Sequence, residues 1–213
     1  MFSVIIPAYN EERYIEKTLT SLPKNVEVIV VCNGCTDDTF KIAKKYTKKV
    51  YNINQRNVSK ARNYGAKKAR YKDLIFLDAD TILTNETLED IKNISKKDYI
   101  GTCKVKPNNY SLFYLLFTNL KNLSLIVNVH NASGIIFCNK NIFNKIQGFN
   151  EELDKYENGD FVERARKHAK FIFSNKHVIT SMRRYEKIGF INAQLFLLKG
   201  RIFKTKKPYP IIR

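Results

Sequence analysis

Two aspartates separated by one residue have the clearest capacity for chemistry in this chain. Asp78 and Asp80 directly follow the apolar run 74–77, which is typical of a buried strand. Since side chains two apart on an extended chain point to the same side, we expect both carboxylates to face one cation. Carboxylates bind Mn²⁺ or Mg²⁺, and such an ion can bridge a protein to a diphosphate. The pattern predicts a metal site, and the alternative is that two acidic residues simply end a strand.

A predicted helix over residues 59–69 carries several cations. Lys60 and Arg62 lie in its first turn, where positive charge opposes the helix dipole. This placement indicates a bound anion, such as the diphosphate of a nucleotide. For Lys67 and Lys68, further along the helix, a solvent-exposed basic surface is the simpler interpretation.

The first loop is a second candidate for nucleotide binding. The chain leaves its first apolar run, 3–6, through Pro7 and enters a predicted helix near Glu11. A helix N-terminus at this place could face a phosphate, or the loop could be a simple cap. The sequence has neither a G-x-G-x-x-G nor a G-x-x-x-x-G-K-[ST] pattern, which argues against dinucleotide-binding and P-loop proteins.

Cys32 and Cys35 form a C-x-x-C motif between a predicted strand and a predicted helix. This is the setting of a thioredoxin-like redox motif, and it could also be half of a zinc site. The other two cysteines and the three histidines show no ligand spacing, so we expect no zinc. A redox role for the pair stays an open alternative.

Strand and helix patterns alternate over the first hundred residues. Apolar runs occur at 3–6, 26–31, 50–53, 74–77 and 99–105, and helical patterns at 11–22, 37–46, 59–69 and 86–94. This alternation predicts an α/β fold with right-handed βαβ crossovers, a mostly parallel sheet and helices on both faces. Ligands bind beyond the carboxyl ends of such strands, which is where the polar residues described above are found.

The second half of the chain is less regular. Residues 110–129 are amphipathic and aromatic-rich, and we expect core packing for their aromatic rings. A strand at 134–138 precedes an acidic loop at 151–160, a helix at 161–169 and an extended segment at 171–180. The pattern of residues 183–213 predicts a basic amphipathic helix and tail, and residues 1–182 are expected to form one continuous domain.

The charge balance points to an anionic partner. The 213 residues include 38 Lys+Arg and 20 Asp+Glu, for a formal net charge of +18. Such an excess favours nucleic acid, an acidic membrane surface or a phosphate-bearing ligand, or else a solvated lysine-rich surface. We see no secretory signal or conventional membrane span, so the expected location is the cytoplasm or the inner face of the cell membrane.

Taken in order, five segments resemble family 2 of the inverting nucleotide-sugar glycosyltransferases. The segments are SVIIPAYNEERYIEKTLTSL, VEVIVVCNGCTDDT, SKARNYGAKKA, LIFLDADT and IQGFNEELDKYENGDFVERARKHAK. They are similar to the family's opening strand and helix, its VVDDGSTDGT loop, its A-R-N-x-G helix, its Asp-x-Asp strand and its G-F-D-E…E-D-x-D segment. The resemblance covers residues 2–180. It implies a single Rossmann-like GT-A domain over 1–182, with a nucleotide-sugar half over about 1–106 and an acceptor half over about 107–182.

The resemblance also implies residue roles. Residues expected to bind the nucleotide sugar are Pro7, Ala8, Tyr9, Glu11, Asn33, Lys60, Arg62, Asp78 and Ala79, with Asp78 and Asp80 on the metal. The implied reaction is an in-line displacement that inverts the anomeric carbon. A carboxylate takes the proton of the acceptor hydroxyl, and the metal stabilises the departing nucleoside diphosphate.

Two positions depart from the family pattern. Cys32 and Asn33 stand where the family has an acid near the base, which leaves the nucleotide undefined. Asn158 stands where the family's Glu-Asp pair has its catalytic Asp, and an amide cannot act as a general base. Either Asp160 or Glu157 is then the catalytic base, or the acceptor needs little deprotonation.

An acceptor that is already anionic would suit the second option. A polyprenyl phosphate is such an acceptor, and a glycan is the other acceptor that we expect. The basic residues in 187–207 favour contact with an anionic membrane surface, and a packing helix with a solvated tail is the alternative.

Two other functions compete with sugar transfer. One is a catalytically degenerate nucleotide-binding protein, which the amide at position 158 would fit. The other is a basic nucleic-acid-binding module, for which Phe171 and Phe173 beside Lys170 and Lys176 are the best candidates. They make a poor platform, and we expect no nucleic-acid partner.

Overall fold

The computed structural model describes residues 1–109, 111–127, 132–153, 156–189 and 192, which form one mixed sheet with helices on both faces. The strands are β1 (Phe2–Ala8), β2 (Glu27–Asn33), β3 (Val50–Ile53), β4 (Asp73–Leu77), β5 (Thr81–Ile82), β6 (Tyr99–Pro107), β7 (Ile135–Asn139) and β8 (Lys170–Thr180). The helices are α1 (Ile15–Ser21), α2 (Thr39–Ala43), α3 (Val58–Lys68), α4 (Asn85–Ile94), α5 (Leu112–Val127), α6 (Lys140–Lys145), α7 (Glu157–Arg166) and α8 (Arg183–Ile188).

The strand order within the described residues is β3-β2-β1-β4-β7-β6-β8-β5. Strands β3, β2, β1 and β4 are parallel, as the crossover pattern predicts. The predicted α/β class, with helices on both faces, is confirmed. Strand β7 interrupts the parallel order, because it lies between β4 and β6 and is antiparallel to both. Four of its five residues are buried, which suits a central position with a neighbour on each side.

Alternating side chains of the strands feed two separate cores. Val4 and Ile6 of β1 face a cluster that includes residues of α1 and α4. Ile5, between them, faces a second cluster with α3, α6 and α7. This is the two-residue period of a strand that is buried on both faces.

Aromatic packing fixes α7 against the sheet. Phe161 of α7 stacks on Phe149 with ring centroids 4.0 Å apart, and Phe76 of β4 meets the Phe149 ring edge-on at 5.0 Å. Burying a Phe side chain contributes about 1.5–3 kcal/mol, and close aromatic pairs add to that. The first turn of α7 is thereby held near the carboxyl end of β4.

Residues 157–160 are helical, which corrects the C-terminal end of the loop expected over 151–160. Helix α7 begins at Glu157, directly after Tyr156 in the left-handed conformation with φ 64°. Glu157 and Asp160 occupy its first turn, where the helix dipole stabilises carboxylates. Both candidate bases therefore lie on a rigid helix.

Helix α3 lies close to β1 because residue 65 has no side chain. A Cβ atom at Gly65 would lie 2.4 Å from Cγ2 of Ile5. The Asn57 side chain caps the helix by accepting a hydrogen bond from the Lys60 N–H at 2.8 Å. This close packing directs Arg62 towards the end of β4.

Helix α5 is anchored through one polar side chain. The Asn122 amide pairs with both the N–H and the C=O of Val105, at 2.8 and 2.9 Å, where β6 extends past its neighbour β7. Tyr114 and Phe117 pack against α8, as expected for aromatic residues of this stretch. The expectation of core packing fails on the other side, where Phe113 is 53% exposed. Within the described ranges, no helix is long and apolar enough to cross a membrane.

The basic C-terminal region is described only in part. Helix α8 accounts for its start, and Phe117 of α5 lies 4.8 Å from the Tyr185 ring of α8. Residues 193–213, which include most of the predicted basic amphipathic helix and tail, lie outside the described residues.

Candidate active site

Arg62 is the centre of a charged cluster at the carboxyl end of β4. Its side chain is only 4% exposed, and its guanidinium donates to Asp78 Oδ1 at 3.0 Å and to Asn158 Oδ1 at 2.8 Å. It also contacts Glu157 Oε1 at 3.3 Å and lies 5.0 Å from the centre of the Phe149 ring. A buried guanidinium needs such compensation, since an unpaired charge in the interior is strongly destabilising. The cluster joins α3, the end of β4 and the start of α7.

Arg183 is the centre of a second cluster, and the sequence patterns alone do not single it out. Its guanidinium contacts Glu11 Oε1 at 2.6 Å and Asp80 Oδ2 at 3.1 Å, and lies 4.4 Å from the centre of the Tyr14 ring. Strand β8 runs in the same direction as β1 and β4, so its carboxyl end meets theirs at one sheet edge. The rule that places ligands beyond strand ends, applied to the segment 171–180, would have found Arg183.

The Asp-Ala-Asp segment is a turn, which corrects the expected extended geometry. Strand β4 ends at Leu77, and the N–H of Thr81 donates to the carbonyl of Asp78 at 3.1 Å. The carbonyl of Ala79 accepts from Thr18 of α1 at 2.8 Å, which fixes the turn against that helix. The two carboxylates have different partners, since Asp78 pairs with Arg62 and Asp80 with Arg183.

The surroundings of Asp80 and Glu11 disfavour the charged form of both carboxyl groups. Burial raises the pKa of Asp80, the Asp78 charge raises it further, and Arg183 opposes both. Burial also raises the pKa of Glu11 to about 7, against an ordinary value of 4.5. Among the described residues, Glu11 Oε2 is buried and has no hydrogen-bond partner. Added positive charge would relieve this arrangement.

We expect Glu11→Gln to flatten the dependence of stability on pH. Between pH 4.5 and 7 the unfolded chain releases the Glu11 proton while the folded chain retains it, so wild-type stability falls as pH rises. The wild-type advantage over the variant should shrink by on the order of 1–3 kcal/mol across this window. Urea unfolding at pH 5 and pH 7.5 measures it, with Glu12→Gln at the exposed neighbour as control. An unchanged difference between the two pH values would show that Glu11 is not a titrating group of the fold.

Asp78 and Asp80 have the chemistry of a partial metal site. Within the described parts of the chain, no group of three or more His, Cys, Asp or Glu side chains is arranged to hold an ion. Two hard carboxylates are nevertheless the typical protein share for Mg²⁺ or Mn²⁺ when phosphate oxygens of a substrate complete the shell. The orphaned oxygen of Glu11 and the raised pKa of Asp80 are consistent with a cation at this place. The residues present fit such an ion.

The loops after β1 and β2 lie side by side. Asn10 Oδ1 accepts the N–H of Thr36 at 2.8 Å, and the Cys35 thiol donates to the carbonyl of Ala8 at 3.2 Å. A cavity of about 290 Å³ opens at this junction. Its lining residues are Asn10, Glu12, Arg13, Tyr14, Thr36, Asp37 and Arg183.

Some of the residues predicted to bind the nucleotide lie around this junction. Pro7 and Ala8 end β1, Asn33 is buried at the end of β2, and Tyr9 lies 4.8 Å below the Arg56 guanidinium. The Lys60 ammonium donates to Gln55 Oε1 at 2.5 Å. Their roles in binding stay predictions.

The two candidate bases have different surroundings. Glu157 contacts the buried Arg62, next to Asp78. Asp160 is held by Arg164 at 2.7 Å, and the same guanidinium donates to the carbonyl of Gly148. The geometry therefore joins Glu157 to the cluster at the end of β4 and gives Asp160 a local partner on its own helix.

The C-x-x-C cysteines are free thiols. A hydrogen bond between them lowers the pKa of Cys35 and raises that of Cys32. The described residues bring no third Cys, His or acidic ligand to them, which leaves the half-zinc-site alternative without support. Their redox role is untested.

The sequence matches a known protein family over more than half of its length. Residues 3–147 match the family model for glycosyl transferase family 2. The poly(ribitol-phosphate) beta-N-acetylglucosaminyltransferase TarS of Staphylococcus aureus is 38% identical over 101 residues, which are 42% of this chain and 18% of that protein. The 4,4'-diaponeurosporenoate glycosyltransferase of Staphylococcus haemolyticus is 34% identical over 144 residues, 62% of this chain and 37% of the relative.

A solved structure extends the likeness to the fold. Staphylococcus aureus TarS 1-349 in complex with UDP-GlcNAc aligns with a TM-score of 0.67 and 25% identity, covering 84% of this chain and 58% of that one. The chain thus spans less than two thirds of each of these relatives. The fold is that of the GT-A glycosyltransferases, and the family match covers well over half of the sequence. This chain belongs to glycosyltransferase family 2.

Proposed function

We propose that this chain transfers a sugar from a nucleoside-diphosphate sugar to an acceptor, with inversion at the anomeric carbon and with Mn²⁺ or Mg²⁺ held by Asp78 and Asp80. The observation that carries the proposal is the meeting of two charged clusters where β1, β4 and β8 end. Arg62 joins Asp78 and Glu157 in one cluster, and Arg183 contacts Asp80 in the other.

The residues proposed to bind the donor lie largely in the loops that follow the strands. Pro7, Ala8, Tyr9, Glu11 and Asn33 would hold the base and ribose, and Lys60, Arg62, Asp78 and Ala79 the sugar diphosphate. TarS forms a complex with UDP-GlcNAc. A mannosyltransferase of Pyrobaculum calidifontis forms a complex with GDP-Man and Mn²⁺; it aligns with this chain at 16% identity and a TM-score of 0.67, covering 84% of this chain and 56% of its own. These ligands support the donor class and leave the nucleotide open. The division at about residue 106 into donor and acceptor halves, followed by a separate basic segment from 183, belongs to the proposal.

The chain's own residues would act on both sides of the anomeric carbon of the sugar. An acceptor oxygen forms a bond to the anomeric carbon from one side, while the bond from that carbon to the diphosphate breaks on the other. A bound cation would neutralise the charge of the leaving diphosphate. Glu157, aligned by Arg62, would take the proton of a hydroxyl acceptor.

The acceptor is proposed to be a glycan or a polyprenyl phosphate. A phosphate oxygen is already anionic, which suits an enzyme with an amide at position 158. The excess of basic residues in 187–207 suits work at an anionic membrane face, such as the inner face of the cell membrane.

We expect Asn158→Asp to separate the two acceptor classes. Arg62 already donates to Asn158 Oδ1 at 2.8 Å, so a carboxylate of the same shape would gain an ion pair, although it would lose the hydrogen bond from Asn158 Nδ2 to the carbonyl of Ala132. Transfer to a hydroxyl acceptor should rise by at least about tenfold, because a carboxylate at the position of the family's catalytic Asp would take over from Glu157 as the proton acceptor, and a well-placed general base typically contributes 10²–10⁴-fold. Transfer to a phosphate acceptor should change little. Initial rates with both acceptors measure it, and Asn144→Asp on the exposed side of α6 is the control. A hydroxyl-transfer rate that stays flat or falls would contradict the role given to position 158.

A thermal-shift screen tests the proposed function as a whole. UDP, GDP, dTDP and CDP are added with and without Mn²⁺, because a ligand that binds only the folded state raises the melting temperature. We expect one nucleotide to stabilise the protein, and only in the presence of the ion. Stabilisation by none of them would refute nucleotide-sugar transfer. Stabilisation without turnover would favour the degenerate binding protein.

A further inference from the structure

Helix α5 presents a row of large apolar side chains to solvent. Its exposed members and their exposed fractions are Leu112 73%, Phe113 53%, Leu116 57%, Leu120 67% and Leu123 58%. At 100° per residue these positions cover an arc of about 100° on one side of the helix. We call this set the α5 stripe.

The opposite side of the same helix is the one that packs on the protein. Tyr114 and Phe117 contact the cluster of Met182 and Tyr185, and Asn122 pairs with β6. The α5 stripe is therefore not the core-facing side of an ordinary amphipathic helix. Contiguous apolar surface of this kind marks an interaction site.

The chain around the α5 stripe is poor in acidic residues. The sequence has no Asp or Glu between Asp98 and Glu151, a span that contains the whole of α5. Helix α8, which packs against α5, adds exposed Arg184 and Lys187 beside a single acid, Glu186. An apolar stripe with basic flanks and almost no acids is complementary to an anionic lipid surface.

We propose that the α5 stripe docks the protein onto an anionic lipid bilayer, with α5 lying in the plane of the interface. Sixteen residues span about 24 Å, and the packed side of the helix keeps it attached to the sheet domain. The basic flanks attract the headgroups, and the leucines enter the boundary of the acyl chains. This goes beyond the membrane location proposed above, because the docking surface is α5, and only Lys187 of residues 187–207 lies beside it.

A single tryptophan tests the docking directly, since the chain has none of its own. In the full chain, Leu120→Trp places the fluorophore on the α5 stripe, and Tyr46→Trp places it on an exposed position outside α5. We expect phosphatidylcholine vesicles containing phosphatidylglycerol to shift the emission of the Leu120→Trp variant to the blue, and pure phosphatidylcholine to leave it unchanged. Emission of the Tyr46→Trp variant should not respond. No response in Leu120→Trp would overturn the proposal, and emission already blue-shifted without vesicles would overturn it too, by showing that this chain or a second copy covers the stripe.

A second pair of variants separates apolar docking from plain charge attraction. Leu116→Gln combined with Leu120→Gln should lower the fraction that co-sediments with anionic vesicles by about tenfold or more. Tyr46→Gln, which removes an exposed ring elsewhere, should have no effect. Unchanged co-sedimentation of the double variant would refute the α5 stripe as the docking surface. Melting temperature confirms that both variants fold, and because no sugar donor is used, a negative result would leave the proposed transfer reaction untouched.

Discussion

Replacing Asp80 by Ala should abolish Mn²⁺-dependent donor binding and lower sugar transfer by about 10²–10³-fold or more, the usual scale for losing a preorganised electrostatic contact. Asp80 is one of two hard carboxylates at the end of β4, and burial with the neighbouring Asp78 charge already raises its pKa. Such an oxygen gains more from a divalent cation than a solvated one would. Nucleotide affinity measured with and without Mn²⁺, together with the initial transfer rate, gives both effects.

The Asp80→Ala result needs two controls, because Asp80 also contacts Arg183. Asp80→Asn keeps the shape and one acceptor oxygen for the guanidinium but removes the negative charge, and it should lose the Mn²⁺ response as well. Asp98→Ala removes an exposed carboxylate that is not part of the candidate site, and it should leave the Mn²⁺ response intact. Retention of both ion-dependent binding and turnover in Asp80→Ala would contradict the metal assignment.

The second large effect is expected at Glu157. If the acceptor is a hydroxyl, Glu157→Gln should lower kcat by about 10²–10⁴-fold with little change in donor affinity, which is the signature of a lost proton acceptor. Glutamine preserves an oxygen for the 3.3 Å contact with Arg62, so the cluster at the end of β4 should stay assembled. Single-turnover rates and donor dissociation constants separate chemistry from binding.

Asp160→Asn is the matched comparison for Glu157→Gln. Asp160 lies on the same helical turn but is paired with Arg164, whose guanidinium also holds the carbonyl of Gly148. Its loss should lower the free energy of unfolding by about 1–3 kcal/mol and change kcat by less than about tenfold. Should Asp160→Asn alone give the large loss of kcat, the two acids must exchange roles.

The predictable part of the fold is the part governed by local periodicity. The strand over 50–53 and the helices near 59–69 and 86–94 follow from runs of apolar residues and capping side chains such as Asn57. The position of β7 does not, since strand order depends on long-range pairing that no local pattern contains. The start of α7 was misplaced because Glu157 and Asp160, taken as loop residues, favour a first helical turn.

The candidate site was predictable to the extent that it follows strand ends. The resemblance implies that both Asp78 and Arg62 bind the nucleotide sugar, and the structure joins them at 3.0 Å. Arg183 was missed because its partners, Glu11 and Asp80, are far from it in sequence. The exposed side of α5 was missed because apolar residues at helical spacing are usually core, and only the structure shows which side is packed.

A crystal structure with Mn²⁺ and the nucleotide selected by the thermal-shift screen tests the central claim most directly. The account predicts an anomalous manganese peak next to the carboxylates of Asp78 and Asp80 and next to the diphosphate, with the base beside the loops that follow β1 and β2. A nucleotide bound elsewhere, or both aspartates without a manganese peak, would contradict it.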